Sequence, residues 1–200
     1  MGERLNIFNK QEQLLGVKDR KDIHRDGDWH ETFHCWFYEV KSNGIDLYFQ
    51  KRADDKKDFP GLYDITAAGH VGAEENLWSG GLREIEEEIG VKLDATHLIS
   101  AGTFKESLTI GELNDNEICR IFLFSCEEEQ TFQIGEEVTD VVKVDLLQLN
   151  QLLEGANEEI VSSSLLTGEC RHLSIQNLVP HERAYYSYII RSVAGNVEKL

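Results

Sequence analysis

The sequence has no apolar run that approaches the roughly 20 residues a membrane-spanning helix needs. Its opening stretch, MGERLNIFNK, also lacks the basic start and the apolar segment of a signal peptide. These two absences lead us to expect a cytoplasmic location. The formal net charge of −17 also makes an acidic membrane surface a poor partner.

Cysteine is sparse as well. Only four cysteines occur in the 200 residues, and no two of them form a CxxC pair. This spacing argues against a structural zinc site. Cys119 and Cys126 lie within an apolar stretch, so we expect them to be reduced residues of the core.

Basic side chains are heavily outnumbered. The chain has 20 lysines and arginines against 37 aspartates and glutamates, which gives a formal net charge of −17. No basic stripe of the kind that binds nucleic acid is visible, so we expect no nucleic-acid partner. An anionic substrate would need metal ions or a local cluster of lysine and arginine to offset this charge.

Strand-like and helix-like patterns alternate along the chain. Residues 35–50 place two apolar runs around Asn43-Gly44, a turn signal that predicts a hairpin. This alternation predicts an α/β domain in which helices cover a mixed sheet. The polar segment 105–116, KESLTIGELNDN, is predicted to be a loop over a site. Further strands are predicted at 98–104, 117–127 and 141–144, and helices at about 77–89, 145–155 and 182–195.

The helix predicted at 77–89 is unusually acidic. Glu84, Glu87 and Glu88 share one face, because residues three and four apart are neighbours on a helix. They lie near the negative end of the helix dipole, and the adjacent Gly80 and Gly81 weaken the same helix. Such violations of local rules tend to occur at functional sites. Three converging carboxylates need cations between them, and Mg²⁺ or Mn²⁺ prefers such oxygen ligands. The alternative is a solvated acidic face.

Two neighbouring residues fit the same metal site. Glu75, in the turn that enters the helix, could add a ligand. Arg83 lies four residues before Glu87, close enough to pair with it and fix its orientation.

This stretch resembles the Nudix box. Gly69, Glu75 and the run Arg83-Glu84-Ile85-x-Glu87-Glu88-x-Gly90-Val91 match the box without a gap. The resemblance implies a loop–helix–loop that binds divalent metal and hydrolyses a diphosphate linked to another group. It also implies that the three glutamates of the helix are metal ligands, assisted by Glu75 and the Gly69 carbonyl. A carboxylate not fully occupied by metal would take a proton from water.

The Nudix resemblance further implies an α/β/α fold, with a mixed β-sheet sandwiched between α-helices. We expect residues 1–200 to form one Nudix domain with a core at about 30–160, an N-terminal strand extension and a C-terminal helical extension. Dimers are common among similar proteins, so monomer and homodimer both stay open.

Residues 24–38 and 50–75 resemble the branch of Nudix proteins that contains the isopentenyl-diphosphate isomerases. In those isomerases a catalytic cysteine precedes the glycine of the box, and here Ala68 occupies that position. The isomerases also commonly lose part of the acid cluster that this chain keeps whole. Both departures favour hydrolysis over isomerisation.

The isomerase resemblance implies a histidine-rich metal site as well. Its residues here would be His24, His30, His70, Asp115 and Glu117. For the first two histidines, an ordinary surface or capping role is an equal alternative. Glu117 is a candidate extra ligand or base, with an exposed strand residue as the alternative.

The resemblance to the same branch also implies a binding site for the diphosphate. Arg52 and Lys56 match positions that hold the substrate diphosphate, a role that suits a forked guanidinium and an ammonium. His70, next to Gly69, is expected beside the substrate. The alternative for the two basic residues is a solvated charged loop, because aspartates intermix with them.

Three functions can be compared. We favour a divalent-metal-dependent hydrolase of a nucleoside diphosphate derivative or a small organic diphosphate. The second function is that of the isomerase itself, which Ala68 opposes. The third is a non-catalytic Nudix-like sensor that binds a nucleotide, and the complete acid set opposes it because sensors often have degraded boxes.

Overall fold

The computed structural model describes residues 2–111, 113–128 and 130–198. No helix within these ranges is both long and apolar enough to cross a membrane. The helices are α1 (Arg20–Asp26), α2 (Leu77–Ile89), α3 (Leu146–Glu154) and α4 (Arg183–Val197). The strands are β1 (Arg4–Phe8), β2 (Leu14–Asp19), β3 (Trp29–Lys41), β4 (Gly44–Arg52), β5 (Tyr63–Ile65), β6 (Ala67–His70), β7 (Ile99–Ile110), β8 (Leu113–Ser125), β9 (Val138–Asp145), β10 (Glu159–Ser164) and β11 (Cys170–Ser174).

Strand β3 organises the centre of the sheet. It pairs antiparallel with β1, β4 and β6 and parallel with β8. The main hydrogen-bonded order is β11-β10-β9-β4-β3-β1-β2, while β5 pairs with β4 and β7 pairs with β8. A sheet that combines parallel and antiparallel pairs is mixed. The predicted mixed sheet, and the hairpin around Asn43-Gly44 that joins β3 to β4, are therefore confirmed.

Side chains of β3 alternate between the two faces of the sheet, as the two-residue period of a strand requires. On one face, Phe33 belongs to the same buried cluster as Ile85 of α2. On the other face, Trp36 shares a buried cluster with Leu149 of α3 and Tyr185 of α4. Helices thus cover both faces, which confirms the predicted α/β/α arrangement.

The helices predicted from periodicity are present. The side chain of Asn76 caps α2 at its N-terminus, and Gly90, with a φ of 72°, ends it. The side chain of Asp145 caps α3, and Gly155 ends it in the same left-handed conformation. Helix α4 spans Arg183–Val197, against a prediction of 182–195.

The prediction of a loop at 105–116 is wrong, although residue 112 of that segment lies outside the described residues. Strands β7 and β8 run through this segment as a long antiparallel hairpin that pairs Glu106 with Glu117. Gly111, at the turn, has a φ of 61°. The segment lacks the apolar alternation of a half-buried strand, which is why composition alone suggests a loop.

Candidate active site

Helix α2 lies close to the sheet through two glycine contacts. A Cβ atom at Gly81 would lie 2.2 Å from Cδ2 of Phe33 on β3. A Cβ atom at Gly69 on β6 would lie 2.2 Å from Cδ of Glu84. Neither position has room for a larger residue, so these glycines let the Glu84 side chain lie directly against β6. Close packing, rather than chemistry, accounts for Gly81.

The three glutamates of α2 occupy different environments. Glu88 is only 6% exposed, and its Oε2 accepts hydrogen bonds from the backbone N–H of Ala68 at 2.9 Å and from Nε2 of Gln50 at 3.0 Å. Burial raises the pKa of Glu88 to about 8 and the pKa of Glu84 to about 7. Glu87 is exposed. For Glu88 the alternative of a solvated acidic face is excluded, because a carboxylate buried in this way needs a nearby cation to ionise.

Arg83 contacts three carboxylates of the site through its guanidinium group. Its Nε and Nη2 donate to the two carboxylate oxygens of Glu75 at 2.9 and 3.0 Å, and its Nη1 donates to Oε2 of Glu87 at 2.8 Å. Nη1 also lies 2.9 Å from Oε1 of Glu84. The predicted pairing of Arg83 with Glu87 is confirmed. The hydrogen bond from Arg83 lowers the pKa of Glu75, which keeps that carboxylate ionised.

A single cavity of about 480 Å³ joins these residues to most of the other predicted ones. Glu75 lies outside its lining, behind Arg83. His24 is also outside this lining and lines a neighbouring groove instead. The predicted site residues that line the cavity are Arg52, Lys56, Gly69, His70, Arg83, Glu84, Glu87, Glu88, Asp115 and Glu117.

The histidine-rich group implied by the isomerase resemblance comes together in space. Ring centroids of His24, His30 and His70 lie 5.1 to 5.6 Å apart. One ligand atom from each lies within 4.8 Å of the others, and the same holds for His30, Asp115 and Glu117. Burial lowers the pKa of His24 to about 4 and the pKa of His70 well below its ordinary value. The rings are therefore neutral, which is the form that ligates metal.

Four buried atoms of this group lack a hydrogen-bond partner in the described part of the chain. They are Nε2 of His24, His30 and His70 and Oδ1 of Asp115. Leaving buried polar atoms unpaired is costly, so their convergence fits a bound cation. Three imidazoles with carboxylates suit a transition ion such as Mn²⁺ better than Mg²⁺. The alternative of ordinary surface histidines is excluded by their burial.

Arg52 is held in a fixed orientation at the cavity. Its Nη1 donates to Oδ2 of Asp64 at 2.9 Å, and its Nε donates to the carbonyl of Asp58 at 3.1 Å. Lys56 forms an ion pair with Glu137. Both basic side chains line the cavity and pair with carboxylates of the protein, and their phosphate role stays a prediction.

Further polar residues near the cavity were not predicted from the sequence. Nδ1 of His34 lies 2.8 Å from the hydroxyl of Tyr185, and its Nε2 lies 3.5 Å from Oε2 of Glu117. His181 contacts Asp64 and a second buried carboxylate. No local motif marks these residues, because strands and helices far apart in the chain bring them together.

Comparison with known proteins identifies the family of this chain. A family model of the NUDIX domain matches residues 28–163. An uncharacterised Nudix hydrolase of Clostridium acetobutylicum is 32% identical over 201 residues, which cover 96% of this chain and 97% of that protein. An isopentenyl-diphosphate Delta-isomerase of Photobacterium profundum is 28% identical over 137 residues, which cover 68% of this chain and 76% of that protein. A Deinococcus radiodurans crystal structure superposes with a TM-score of 0.58 at 18% identity, covering 77% of this chain and 89% of that one.

Proposed function

Because the chain belongs to the Nudix hydrolase family, we propose that it hydrolyses a diphosphate linkage with Mg²⁺ or Mn²⁺ as cofactor. The substrate would be a nucleoside diphosphate derivative or a small organic diphosphate. The observation that supports this proposal most strongly is that the buried Glu88 and the half-buried Glu84 line one cavity with the immobilised guanidinium of Arg52.

The acid cluster supplies the ligands on this proposal. Glu84, Glu87 and Glu88 would hold the ion, with Glu75 and the carbonyl of Gly69 assisting. When bound, the ion would neutralise charge on the phosphate oxygens and lower the pKa of a water molecule. A carboxylate that the ion leaves free would take the proton of that water, and Arg83 would keep the acids oriented, as its contacts with them suggest.

Arg52, Lys56 and His70 would bind the substrate diphosphate. The fixed fork of Arg52 matches the oxygens of a phosphate, and Lys56 would add a second positive charge. Glu117 would serve as an extra ligand or base, since it lies beside His30 and Asp115 at the far side of the cavity. The histidine-rich group would then hold a second cation.

The isomerase is the second candidate, because its relatives match this chain and the histidine group is assembled. Ala68 lines the cavity where the isomerase resemblance calls for a cysteine, and no cysteine is among the described residues that line it. Sγ of Cys119 lies 3.7 Å from Oε2 of Glu117, but Cys119 is fully buried. Its burial raises the pKa of the thiol well above the ordinary value. The described lining of the cavity therefore offers no thiol to a substrate, which favours hydrolysis.

The test is turnover of a substrate panel by the purified protein. The panel contains nucleoside diphosphate derivatives, small organic diphosphates and isopentenyl diphosphate, each with Mg²⁺, with Mn²⁺ and with a chelator. Metal-dependent release of phosphate or a monophosphate is the expected result. Formation of dimethylallyl diphosphate would replace the proposal by isomerisation. Tight ligand binding without any turnover would replace it by a sensor function.

A further inference from the structure

His181 is a buried histidine that contacts a carboxylate through each ring nitrogen. Its Nδ1 lies 2.7 Å from Oε2 of Glu106, and its Nε2 lies 3.0 Å from Oδ1 of Asp64. Both carboxylates are buried. A carboxylate accepts hydrogen bonds, so both nitrogens must donate, and the ring is an imidazolium. Burial opposes this charge, but the hydrogen bonds to Asp64 and Glu106 outweigh it and raise the pKa of His181 to about 10.

Asp64 connects His181 to the cavity. One oxygen of Asp64 accepts from His181, and the other accepts from Nη1 of Arg52. Since Nε of Arg52 donates to a backbone carbonyl, two of its donors are used by the protein. In the described part of the chain, Nη2 of Arg52 makes no hydrogen bond, so this end of the guanidinium stays available to an anion in the cavity.

His181 is itself held in place by backbone contacts on either side. The N–H of Val179 donates to the carbonyl of Tyr63 at 2.8 Å, next to Asp64 on β5. The N–H of Glu182 donates to Oε1 of Glu106. Residues 179–182 lie outside residues 28–163, the range that the family model matches. A part of the chain outside that match therefore contributes to the wall of the cavity.

We propose that His181 is a positioning residue of the substrate site, which acts by holding Asp64 where it orients Arg52 toward a phosphate. The phosphate role of Arg52 rests on the proposed function. His181 also balances charge, because with Arg52 it offsets the two buried carboxylates of Asp64 and Glu106. A purely structural ion pair would stabilise the fold without any connection to Arg52.

Two variants separate these roles. The amide nitrogen of asparagine reaches about as far as Nδ1 of histidine, and that of glutamine about as far as Nε2. His181→Asn therefore keeps the donor to Glu106 and loses the donor to Asp64, whereas His181→Gln keeps the donor to Asp64. Both variants lose the charge and both leave one carboxylate without its partner. A structural role predicts equal effects of the two variants, and a role through Asp64 predicts a larger effect of asparagine.

The experiment is calorimetric binding of methylenediphosphonate, a diphosphate analogue that cannot be hydrolysed, in excess Mg²⁺. We expect His181→Asn to weaken binding about tenfold, and His181→Gln about threefold or less, as befits loss or retention of one charged hydrogen bond. In an Arg52→Ala background, His181→Asn should weaken binding no further, because its effect passes through Arg52. Asp64→Asn should reproduce the loss even if His181→Asn does not fold.

The outcomes distinguish this inference from the proposed function. Equal losses of affinity in the two His181 variants would overturn the positioning role. So would a loss of affinity in His181→Asn that adds to the loss caused by Arg52→Ala. Absence of binding to the wild-type protein would overturn it as well. Binding with the expected pattern but no turnover of any diphosphate would support the positioning role and reject hydrolysis.

Discussion

The backbone N–H of Ala68 donates a hydrogen bond to the buried carboxylate of Glu88 at 2.9 Å. In the isomerases that this chain resembles, the position of Ala68 carries the catalytic cysteine. Here the same position contributes its amide group, which helps to hold an acid of the helix against β6. The contact links the strand before the Nudix box to the acid cluster within it.

Glu88→Gln should lower kcat by several orders of magnitude while the fold persists. The amide oxygen can still accept from Ala68, but an amide neither binds a cation as strongly nor takes a proton. The measurement is steady-state turnover together with thermal unfolding. Glu86→Gln is the matched control, because Glu86 is an exposed residue of α2 that pairs with Lys92 and should leave turnover unchanged. Turnover of Glu88→Gln near that of the wild type would refute the role of Glu88.

Metal should stabilise the protein more strongly at about pH 8 than at about pH 5. The pKa values of Glu84 and Glu88 are raised from 4.5 to about 7 and about 8. Between pH 4.5 and about 8 the folded chain binds more protons than the unfolded chain. The stability of the metal-free protein therefore falls as the pH rises through this window. A cation bound to the ionised carboxylates reverses the loss.

This pH dependence is measured by thermal unfolding with Mg²⁺ and with a chelator across the pH range. Glu88→Gln is the control, because it removes one of the two titrating groups and should flatten the metal-free profile. If Mg²⁺ raised the unfolding temperature equally at about pH 5 and at about pH 8, the prediction would be contradicted.

Gly81→Ala should destabilise the fold, whereas Gly80→Ala should not. The new Cβ at residue 81 would collide with the Phe33 ring, and overpacking of this kind costs about 1–3 kcal/mol. At residue 80 the nearest atom is the end of the Glu75 side chain, 3.3 Å away, and alanine gains about 1 kcal/mol of helix propensity. Urea unfolding of the two variants measures the difference. Equal stabilities would show that the helix does not pack this closely.

His30→Asn should weaken Mn²⁺ binding by at least about tenfold, since even partners of metal ligands commonly contribute that much. His30 belongs to two of the three candidate ligand groups in the described part of the chain, and its Nε2 is buried without a partner there. Paramagnetic titration with Mn²⁺ gives the affinity and the number of sites. His172→Asn is the control because His172 is exposed on β11. Unchanged affinity would show that the histidines hold no ion.

Local rules predict the parts of this protein that depend on neighbours in sequence. Helix α2, its shared acidic face and its end at Gly90 follow from spacing of three and four residues and from glycine at the helix end. Spacing cannot show how deeply each side chain is buried, so it treats Glu87 and Glu88 alike although only Glu88 is buried. The cytoplasmic location and the oligomeric state stay predictions.

Contacts between distant segments explain what the sequence does not reveal. His181 is separated from Asp64 by 117 residues and from Glu106 by 75. Its contacts with these two carboxylates depend on the positions of β5 and β7 in the sheet, which no local sequence pattern specifies. Likewise the polar segment at 105–116 can be recognised as strand only when its partner and the cavity beside it are known.

The pairing of Glu106 with Glu117 in the β7–β8 hairpin has a consequence for the order of folding. Two like charges opposite each other on adjacent strands destabilise a hairpin. The cation that contacts Glu106 is His181, which leaves the ribosome some 75 residues later. A nascent chain that has reached β8 would therefore carry this pair of carboxylates without the cation that offsets Glu106, which arrives only when the C-terminal segment docks.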